Sequence, residues 1–161
     1  MLDIVIIGSG PAGLSAAIYG SRSGLDVLVI EKISHGVGQI AEADCINNYL
    51  GFSSIRGFEL GMQFRTHAEA CGVRFQESEA IKLERTDACW KIYAKDGSCI
   101  QSKTVIYAAG ASHRHLNVFG EEALIGKGVS YCATCDGTFY KGKDVAVIGG
   151  GNTAVGDALY L

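Results

Sequence analysis

The chain has 161 residues with a net charge of −3, and 48% of its residues are hydrophobic. These figures predict a packed globular chain and give no electrostatic reason to expect nucleic acid or an anionic membrane as a partner. The longest apolar runs are strand-sized, far short of the roughly 20 residues that span a bilayer. Asp3 also lies where a signal peptide would be basic, so we expect a cytoplasmic protein.

The first predicted elements are a strand, a helix and a second strand. Residues 2–7 form an apolar run that predicts a buried parallel strand, residues 11–23 have helical spacing, and residues 26–30 form a second apolar run. This is the order and the length of a βαβ unit.

The residues between the first strand and the helix match the dinucleotide-binding pattern G-x-G-x-x-G. Gly8 permits a tight turn, Gly10 lets backbone N–H groups approach a pyrophosphate, and Gly13 lets the helix pack closely on the strand. A phosphate then lies at the positive end of the helix. Glu31 closes the second strand, where a carboxylate accepts hydrogen bonds from a ribose and repels a 2′-phosphate. The loop therefore predicts FAD or NAD rather than NADP.

The middle of the chain predicts a small antiparallel β excursion. Residues 33–57 are rich in glycine and predict a long irregular segment, and residues 58–71 predict a helix. Residues 79–100 then alternate between apolar and polar side chains around an Asp-Gly hairpin signal at residues 96–97. Residues 104–108 predict a further buried strand.

A second strand, glycine loop and helix begin near the end of the chain. Residues 143–148 predict the strand, and the pattern G-x-G-x-x-A follows at Gly149, Gly151, Asn152, Thr153 and Ala154. This predicts a second dinucleotide site. The helix has no following strand before Leu161, so we expect the chain to be the N-terminal part of a longer protein.

Two cysteines precede the second loop. Cys132 and Cys135 are spaced as C-x-x-C. A structural zinc site would need two more soft ligands at matching spacing, and the sequence has neither a second C-x-x-C nor an H-x₃₋₅-H pair. A redox dithiol needs this spacing alone, so we favour it and expect no metal. Asp136 is suited to exchange the proton of thiol chemistry, although an Asp-Gly turn explains the same residue.

The four other cysteines are scattered along the chain and are expected to be small buried residues. The motifs together predict an electron relay. NAD(P)H reduces a flavin, the flavin reduces the disulfide of the C-x-x-C pair, and the dithiol reduces an external disulfide.

The sequence resembles the low-molecular-weight, bacterial-type thioredoxin reductases. The resemblance is carried by GSGPAGLSAAIY at 8–19, GVGQ at 36–39, YAAGA at 107–111, GVSYCATCDG at 128–137 and GKDVAVIGGGNTAV at 142–155. It implies an α/β, Rossmann-like fold for FAD and NAD(P), with a two-domain parent architecture that is truncated here. Residues 1–115 would be the first part of the FAD-binding domain, and residues 116–161 the start of an inserted NAD(P)H-binding domain.

The resemblance also implies an activity and a set of site residues. The activity is that of a homodimeric thioredoxin-disulfide reductase that uses FAD and NADPH and acts on thioredoxin or a similar small disulfide protein. Cys135 would face the flavin, Cys132 would meet the partner, and Asp136 would be the acid–base residue. The FAD site would comprise Gly8, Ser9, Gly10, Pro11, Ala12, Gly13, Glu31, Lys32, Gln39, Asn48, Ala109 and Gly110. The NADPH site would begin with Gly149, Gly151, Asn152, Thr153 and Ala154.

Two other functions stay open from the sequence. One is a related flavin dithiol reductase with another donor or acceptor, such as ferredoxin or a peroxidase partner. The other is an inactive, truncated nucleotide-binding remnant. The remnant is favoured by Val37, where the family usually has glycine, and by the loss of the family's prolines, since only Pro11 remains.

Overall fold

The computed structural model describes residues 1–43 and 45–161, which form two compact units, Met1–Ala111 and Ser112–Leu161. The domain boundary predicted between residues 115 and 116 stays a prediction, because compact units are defined by packing and not by the cofactor that each one binds.

A mixed six-stranded sheet forms the centre of the first unit. Its strands are β1 (Leu2–Ile7), β2 (Val27–Glu31), β3 (Arg74–Glu77), β4 (Ala80–Arg85), β5 (Trp90–Ala94) and β6 (Cys99–Tyr107). They lie in the order β3-β2-β1-β6-β5-β4. The pairs among β3, β2, β1 and β6 are parallel, and β5 pairs antiparallel with β4 and β6. This confirms the predicted α/β fold with a small antiparallel part.

Strand β6 joins two segments that the sequence predicted separately. Its first residues pair with β5, and its later residues pair with β1. Ser102 belongs to both ladders, opposite Leu2 on one side and Trp90 on the other. The break between the predicted segments is absent because each half of the strand has its own neighbour, so backbone pairing continues through the polar residues.

Two helices belong to the first unit, α1 (Pro11–Arg22) and α2 (Gly57–Ala70), together with a short 3₁₀ helix over Gly38–Glu42. The second unit contains α3 (Glu121–Leu124), α4 (Ala133–Asp136), a 3₁₀ helix over Gly137–Tyr140, and α5 (Asn152–Tyr160). Within residues 1–43 and 45–161, the structure contains no helix with both the length and the apolar character that a membrane span requires.

The core of the first unit lies on both faces of the sheet, because successive strand side chains point in opposite directions. Ile6 and Val29 pack with Leu14 of α1 and Ala68 of α2 on one face. The opposite face buries a second cluster of residues, Val5, Ile7, Leu28, Ile30 and Ile92. The parallel strands are therefore covered on both sides, which is why they appear in the sequence as unbroken apolar runs.

A buried ion pair joins α2 to the end of β2. Nη1 of Arg65 donates to both carboxylate oxygens of Glu31 at 2.7 Å, and the two side chains are 6% and 3% exposed. Nε of Arg65 donates to Glu69 at 2.7 Å, and the guanidinium lies 3.3 Å from the ring centre of Phe75. Together these contacts stabilise the guanidinium of Arg65, whose positive charge would otherwise be costly to bury.

The strand predicted over residues 143–148 is not formed, and that prediction is wrong for this structure. In the described part of the chain these residues have no backbone ladder, and Val145, Val147 and Ile148 are 49%, 39% and 66% exposed. An apolar run becomes a strand only where another strand pairs with it.

The expectation that the four scattered cysteines are buried is also wrong. Cys45 and Cys99 are exposed, and Cys71 and Cys89 are half-buried. The average burial of cysteine does not decide its position in a loop or at the start of a strand.

Removing the buried guanidinium should destabilise the first unit. We expect Arg65→Met to lower the free energy of unfolding by about 3 kcal/mol, because the Glu31 carboxylate is left buried and unpaired. Arg74→Met is the matched control, since Arg74 pairs with Asp26 where both side chains are more than half exposed, and it should cost less than about 1 kcal/mol. Urea unfolding measured by circular dichroism gives both values. Equal losses in the two variants would contradict the role of the buried pair.

Candidate functional site

The first glycine loop is a tight turn between β1 and α1. Gly8 has φ of +107°, and a Cβ at this position would lie 2.2 Å from the carbonyl oxygen of Ala108. A Cβ at Gly13 would lie 2.0 Å from the carbonyl oxygen of Gly8. Both glycines are therefore required by the packing of the chain itself.

Gly10 differs from its two neighbours in the motif. It precedes α1 as the N-cap residue, without a side-chain cap, and a Cβ there would meet nothing closer than 3.8 Å. The backbone does not need a glycine at this position for its own packing. Space and uncapped N–H groups at the start of α1 are what a pyrophosphate needs.

The segment 36–39 lies against this loop. The hydroxyl of Ser9 donates to the carbonyl of Gly36, and the amide Nε2 of Gln39 donates to the carbonyl of Ala111 at 2.6 Å. A Cβ at Gly38 would lie 2.9 Å from the Cα of Gly10. The structure thus brings Ser9, Gly10 and Gln39 of the predicted cofactor site into one region.

Val37 departs from the family pattern, and the structure shows where its side chain lies. The residue is 2% exposed. It packs on α2 at Gly61, where a Cβ would lie only 2.4 Å from Cγ2 of Val37. The valine is thus accommodated by a glycine on the facing helix.

The carboxyl ends of β1, β2 and β6 place further predicted residues along one edge of the sheet. Gly8 follows β1, Glu31 ends β2 and Lys32 follows it, and Ala109 and Gly110 come shortly after β6. Ligands of open α/β sheets bind outside this edge.

The remaining predicted FAD residues are less tightly connected to this region. Pro11 and Ala12 are exposed at the start of α1. Lys32 forms a surface ion pair with Glu79 at 2.9 Å. Asn48 is exposed in a loop, and no hydrogen bond within the described residues joins it to the others. The assignment of these residues to a cofactor stays a prediction.

Glu31 has a partner that the sequence did not indicate. Arg65 donates to both oxygens of the Glu31 carboxylate, so about two of the four acceptor positions of this carboxylate remain. The predicted contact of Glu31 with a ribose therefore stays a prediction. No local signal identifies Arg65, because the two residues are 34 positions apart.

Cys132 and Cys135 form a disulfide in the second unit, with Cα atoms 5.3 Å apart. Sγ of Cys132 lies 3.2 Å from the backbone N–H of Cys135 and 3.3 Å from Oγ1 of Thr134. The predicted pairing of the two cysteines is therefore present. Thr134, which no sequence pattern indicated, contacts one of the two sulfurs of the disulfide.

Asp136 is held by a serine just before the disulfide. The hydroxyl of Ser130 donates to Oδ2 of Asp136 at 2.5 Å, and the same hydroxyl oxygen accepts the backbone N–H of Cys132 at 3.1 Å. Ser130 therefore connects the carboxylate to the backbone of the disulfide segment.

A buried carboxylate fixes the start of this segment. Glu121 is 4% exposed and accepts hydrogen bonds from the Tyr131 hydroxyl at 2.5 Å and from the N–H groups of Leu116 and Asn117 at 2.8 and 2.7 Å. These bonds, that of Tyr131 first, lower the pKa of Glu121. The same hydrogen bond, followed by desolvation, raises the pKa of Tyr131 to about 12.

Two histidines flank Tyr131. His113 stacks on its ring with centroids 4.8 Å apart, and Nδ1 of His115 lies 3.1 Å from its hydroxyl. Tyr131 immediately precedes Cys132, so this cluster orients the chain where it enters the disulfide. Periodicity could not reveal the cluster, because its members lie on a connector of irregular structure.

The second glycine loop leads into α5. Gly149 has φ of +133°, and a Cβ there would lie 3.1 Å from Cβ of Ala154. Gly151 is the N-cap of α5 and has open space at its Cα, while Asn152 and Thr153 begin the first turn. The loop and helix of the predicted nicotinamide site are present, without the paired strand.

The hydrogen bond between Tyr131 and Glu121 can be tested by titration. We expect Glu121→Gln to shift the pKa of Tyr131 from about 12 toward its ordinary value near 10, because the acceptor loses its charge. The ultraviolet difference between each protein and its Tyr131→Phe counterpart isolates this tyrosinate.

The sign of the pH dependence follows from the raised pKa. Because the folded pKa of Tyr131 exceeds the unfolded value near 10, the stabilisation is complete below pH 10 and is lost as the pH rises through about 12. An unchanged tyrosinate titration in Glu121→Gln would contradict the interaction.

Known thioredoxin reductases are similar to this chain along nearly its whole length. Thioredoxin reductase of Bacillus subtilis is 43% identical over 159 residues, which are 99% of this chain and 50% of that protein. Thioredoxin reductase of Mycoplasma genitalium is 42% identical over 159 residues, with the same two shares. The chain thus spans about half the length of the curated relatives it matches.

A solved structure gives the same result. Thioredoxin reductase from Streptococcus pyogenes superposes with a TM-score of 0.89 at 42% identity, covering 99% of this chain and 52% of that one. The family model of the pyridine nucleotide-disulphide oxidoreductases matches residues 2–161. With its glycine loop after β1 and its C-x-x-C disulfide, the chain belongs to the pyridine nucleotide-disulphide oxidoreductase family.

Proposed function

We propose that the protein carrying this chain is a thioredoxin-disulfide reductase. Electrons would pass from NADPH through FAD to the Cys132–Cys135 pair and then to thioredoxin or a similar small disulfide protein. The observation that carries the proposal is the disulfide formed by Cys132 and Cys135, in a chain that is 42–43% identical to thioredoxin reductases.

FAD is the cofactor that the residues of the first unit fit. The open Cα of Gly10 and the uncapped start of α1 suit a pyrophosphate, and Glu31 retains acceptor positions for ribose hydroxyls. Bound FAD supplies a group that accepts a hydride and passes two electrons to a disulfide. The family uses FAD and NADPH, and we assign residues 1–115 to the FAD domain and residues 116–161 to the start of the NADPH domain.

The residues of the second unit would carry out thiol–disulfide exchange. The thiolate of Cys132 attacks one sulfur of the partner disulfide, forms a mixed disulfide and releases the other partner sulfur as a thiolate. The thiolate of Cys135 then attacks Sγ of Cys132, which releases the second partner thiolate and restores the Cys132–Cys135 bond. The partner gains the two electrons that the dithiol loses.

Asp136 is the group that would exchange protons with these thiols. Its Oδ2 is engaged by the Ser130 hydroxyl, so Oδ1 is the oxygen at which the carboxyl would take up a proton. By resemblance to the family, we also propose that the protein acts as a homodimer in the cytoplasm, and size-exclusion chromatography tests the oligomeric state.

Replacing either cysteine of the pair should separate the two halves of the relay. In the complete protein, we expect Cys132→Ser and Cys135→Ser to lose thioredoxin reduction by at least about 100-fold, since each removes a reacting sulfur. Bleaching of the flavin by NADPH should persist, because it precedes the disulfide. Turnover is followed by a colorimetric assay of thioredoxin thiols.

Cys71→Ser is the matched control for the cysteine variants, because Cys71 is a free, half-buried cysteine, and it should keep full turnover. Turnover retained in Cys132→Ser would contradict the proposed function. Bleaching by reduced ferredoxin but not by NADPH would assign another donor.

The two glycines of the first loop should respond differently to alanine. We expect Gly10→Ala to leave the free energy of unfolding within about 0.5 kcal/mol while weakening FAD binding at least about tenfold, because the methyl group occupies the phosphate approach. Gly13→Ala should destabilise the fold by more than about 2 kcal/mol, because its Cβ would lie 2.0 Å from a backbone oxygen. FAD fluorescence titration and thermal unfolding measure the two effects.

Gly156→Ala is the control, because a Cβ there meets nothing within 4 Å and the residue lies inside α5. It should leave FAD binding unchanged. FAD bound by Gly10→Ala as tightly as by the wild type would contradict the assignment of this loop to a pyrophosphate.

A further inference from the structure

The two sulfurs of the disulfide have different polar surroundings. Sγ of Cys132 has two donors within reach, Oγ1 of Thr134 at 3.3 Å and the N–H of Cys135 at 3.2 Å. Among residues 1–43 and 45–161, no hydrogen bond reaches Sγ of Cys135. The hydrogen-bonding groups of the segment are therefore directed at one sulfur of the pair.

The direction of the Thr134 bond follows from chemistry. A sulfur in a disulfide carries no hydrogen, so the Thr134 hydroxyl is the donor and Sγ of Cys132 is the acceptor. After reduction the same sulfur can become a thiolate. A hydrogen bond to an ionised acceptor is about twice as strong as one between neutral groups, so the bond favours the thiolate of Cys132 over its thiol.

Solvent exposure alone would favour the other sulfur. Cys135 is exposed and Cys132 is half-buried, and an exposed thiol reacts more readily when nothing else differs. Hydrogen bonding and exposure therefore predict opposite orders of reactivity within the pair, which makes the two influences separable by experiment.

We propose that the hydroxyl of Thr134 stabilises the thiolate of Cys132 and is the group that makes this sulfur, the attacking one in the proposed function, the more reactive of the reduced pair. The proposal deepens the proposed function and rests on it, because that function already assigns the attack on the partner disulfide to Cys132, and the new element is the group that activates this sulfur. Thr134 is a catalytic residue in the strict sense, since its hydroxyl contacts a reacting atom.

Alkylation of the reduced pair tests this assignment. The protein is reduced with dithiothreitol, freed of reductant and treated with limiting iodoacetamide at neutral pH. Fragment-ion mass spectrometry then measures the label on Cys132 and on Cys135 separately. Each labelling step joins one thiolate sulfur to the reagent carbon and releases iodide.

We expect wild type to be labelled mainly on Cys132, and Thr134→Val to lower the ratio of Cys132 to Cys135 labelling by about five- to tenfold, because a hydrogen bond to a charged group is lost. Thr134→Ser keeps the hydroxyl and should retain the wild-type ratio. Thr134 is exposed, so neither change removes core packing.

Thr138→Val is the matched control, because Thr138 is an exposed threonine four positions along the chain, and no hydrogen bond within the described residues joins it to either sulfur. Its labelling ratio should equal that of wild type. The proposal would be overturned if wild type were labelled mainly on Cys135 or if Thr134→Val left the ratio unchanged. It would also be overturned if Thr134→Ser gave the same ratio as Thr134→Val, or if Thr138→Val lowered the ratio.

The outcome is distinguishable from failure of the proposed function. Chemical reduction opens the disulfide without nicotinamide or thioredoxin. Bound FAD would shield Cys135 to the same extent in wild type and in the Thr134 and Thr138 variants, so a change in the labelling ratio among these proteins reports the effect of the hydroxyl. Failure of the proposed function would instead appear as absent thioredoxin turnover in the complete wild-type protein.

Discussion

The close approach of α1 to the end of β1 is the constraint on which the first unit depends. Gly13 lies so near the carbonyl of Gly8 that a single methyl group would overlap it, and Gly8 is nearly as close to the carbonyl of Ala108 after β6. Helix, turn and neighbouring strand are thereby held in one geometry. This leaves the start of α1 open at Gly10, beside the edge where the parallel strands end.

The second unit is organised by short-range hydrogen bonds rather than by a sheet. Ser130 donates to Asp136, and the sulfur of Cys132 is contacted by Thr134 and by the backbone N–H of Cys135. All these residues lie within a few positions of one another. Such contacts form within the segment itself. The disulfide therefore has a defined polar environment even though residues 143–148 lack a partner strand.

Two buried carboxylates show how this chain satisfies charge away from water. Glu31 is paired with Arg65, and Glu121 accepts bonds from Tyr131 and two backbone N–H groups. A buried carboxylate without such partners would be strongly destabilising. One of these residues ends the strand beside the glycine loop, and the other holds the residue before Cys132, so both support a predicted site without reacting in it.

The sequence by itself determined the elements whose signals are local. The apolar runs of β1 and β2, the glycine pattern between them and the spacing of Cys132 and Cys135 predicted the βαβ unit and the disulfide, because periodicity, turn chemistry and loop length act over a few residues. The tertiary structure alone decided what depends on distant neighbours. It made residues 99–107 one strand, left residues 143–148 unpaired, and gave Glu31 its partner 34 residues away. Strand pairing and charge burial are set by which segments meet in the folded chain, and no local pattern encodes those meetings.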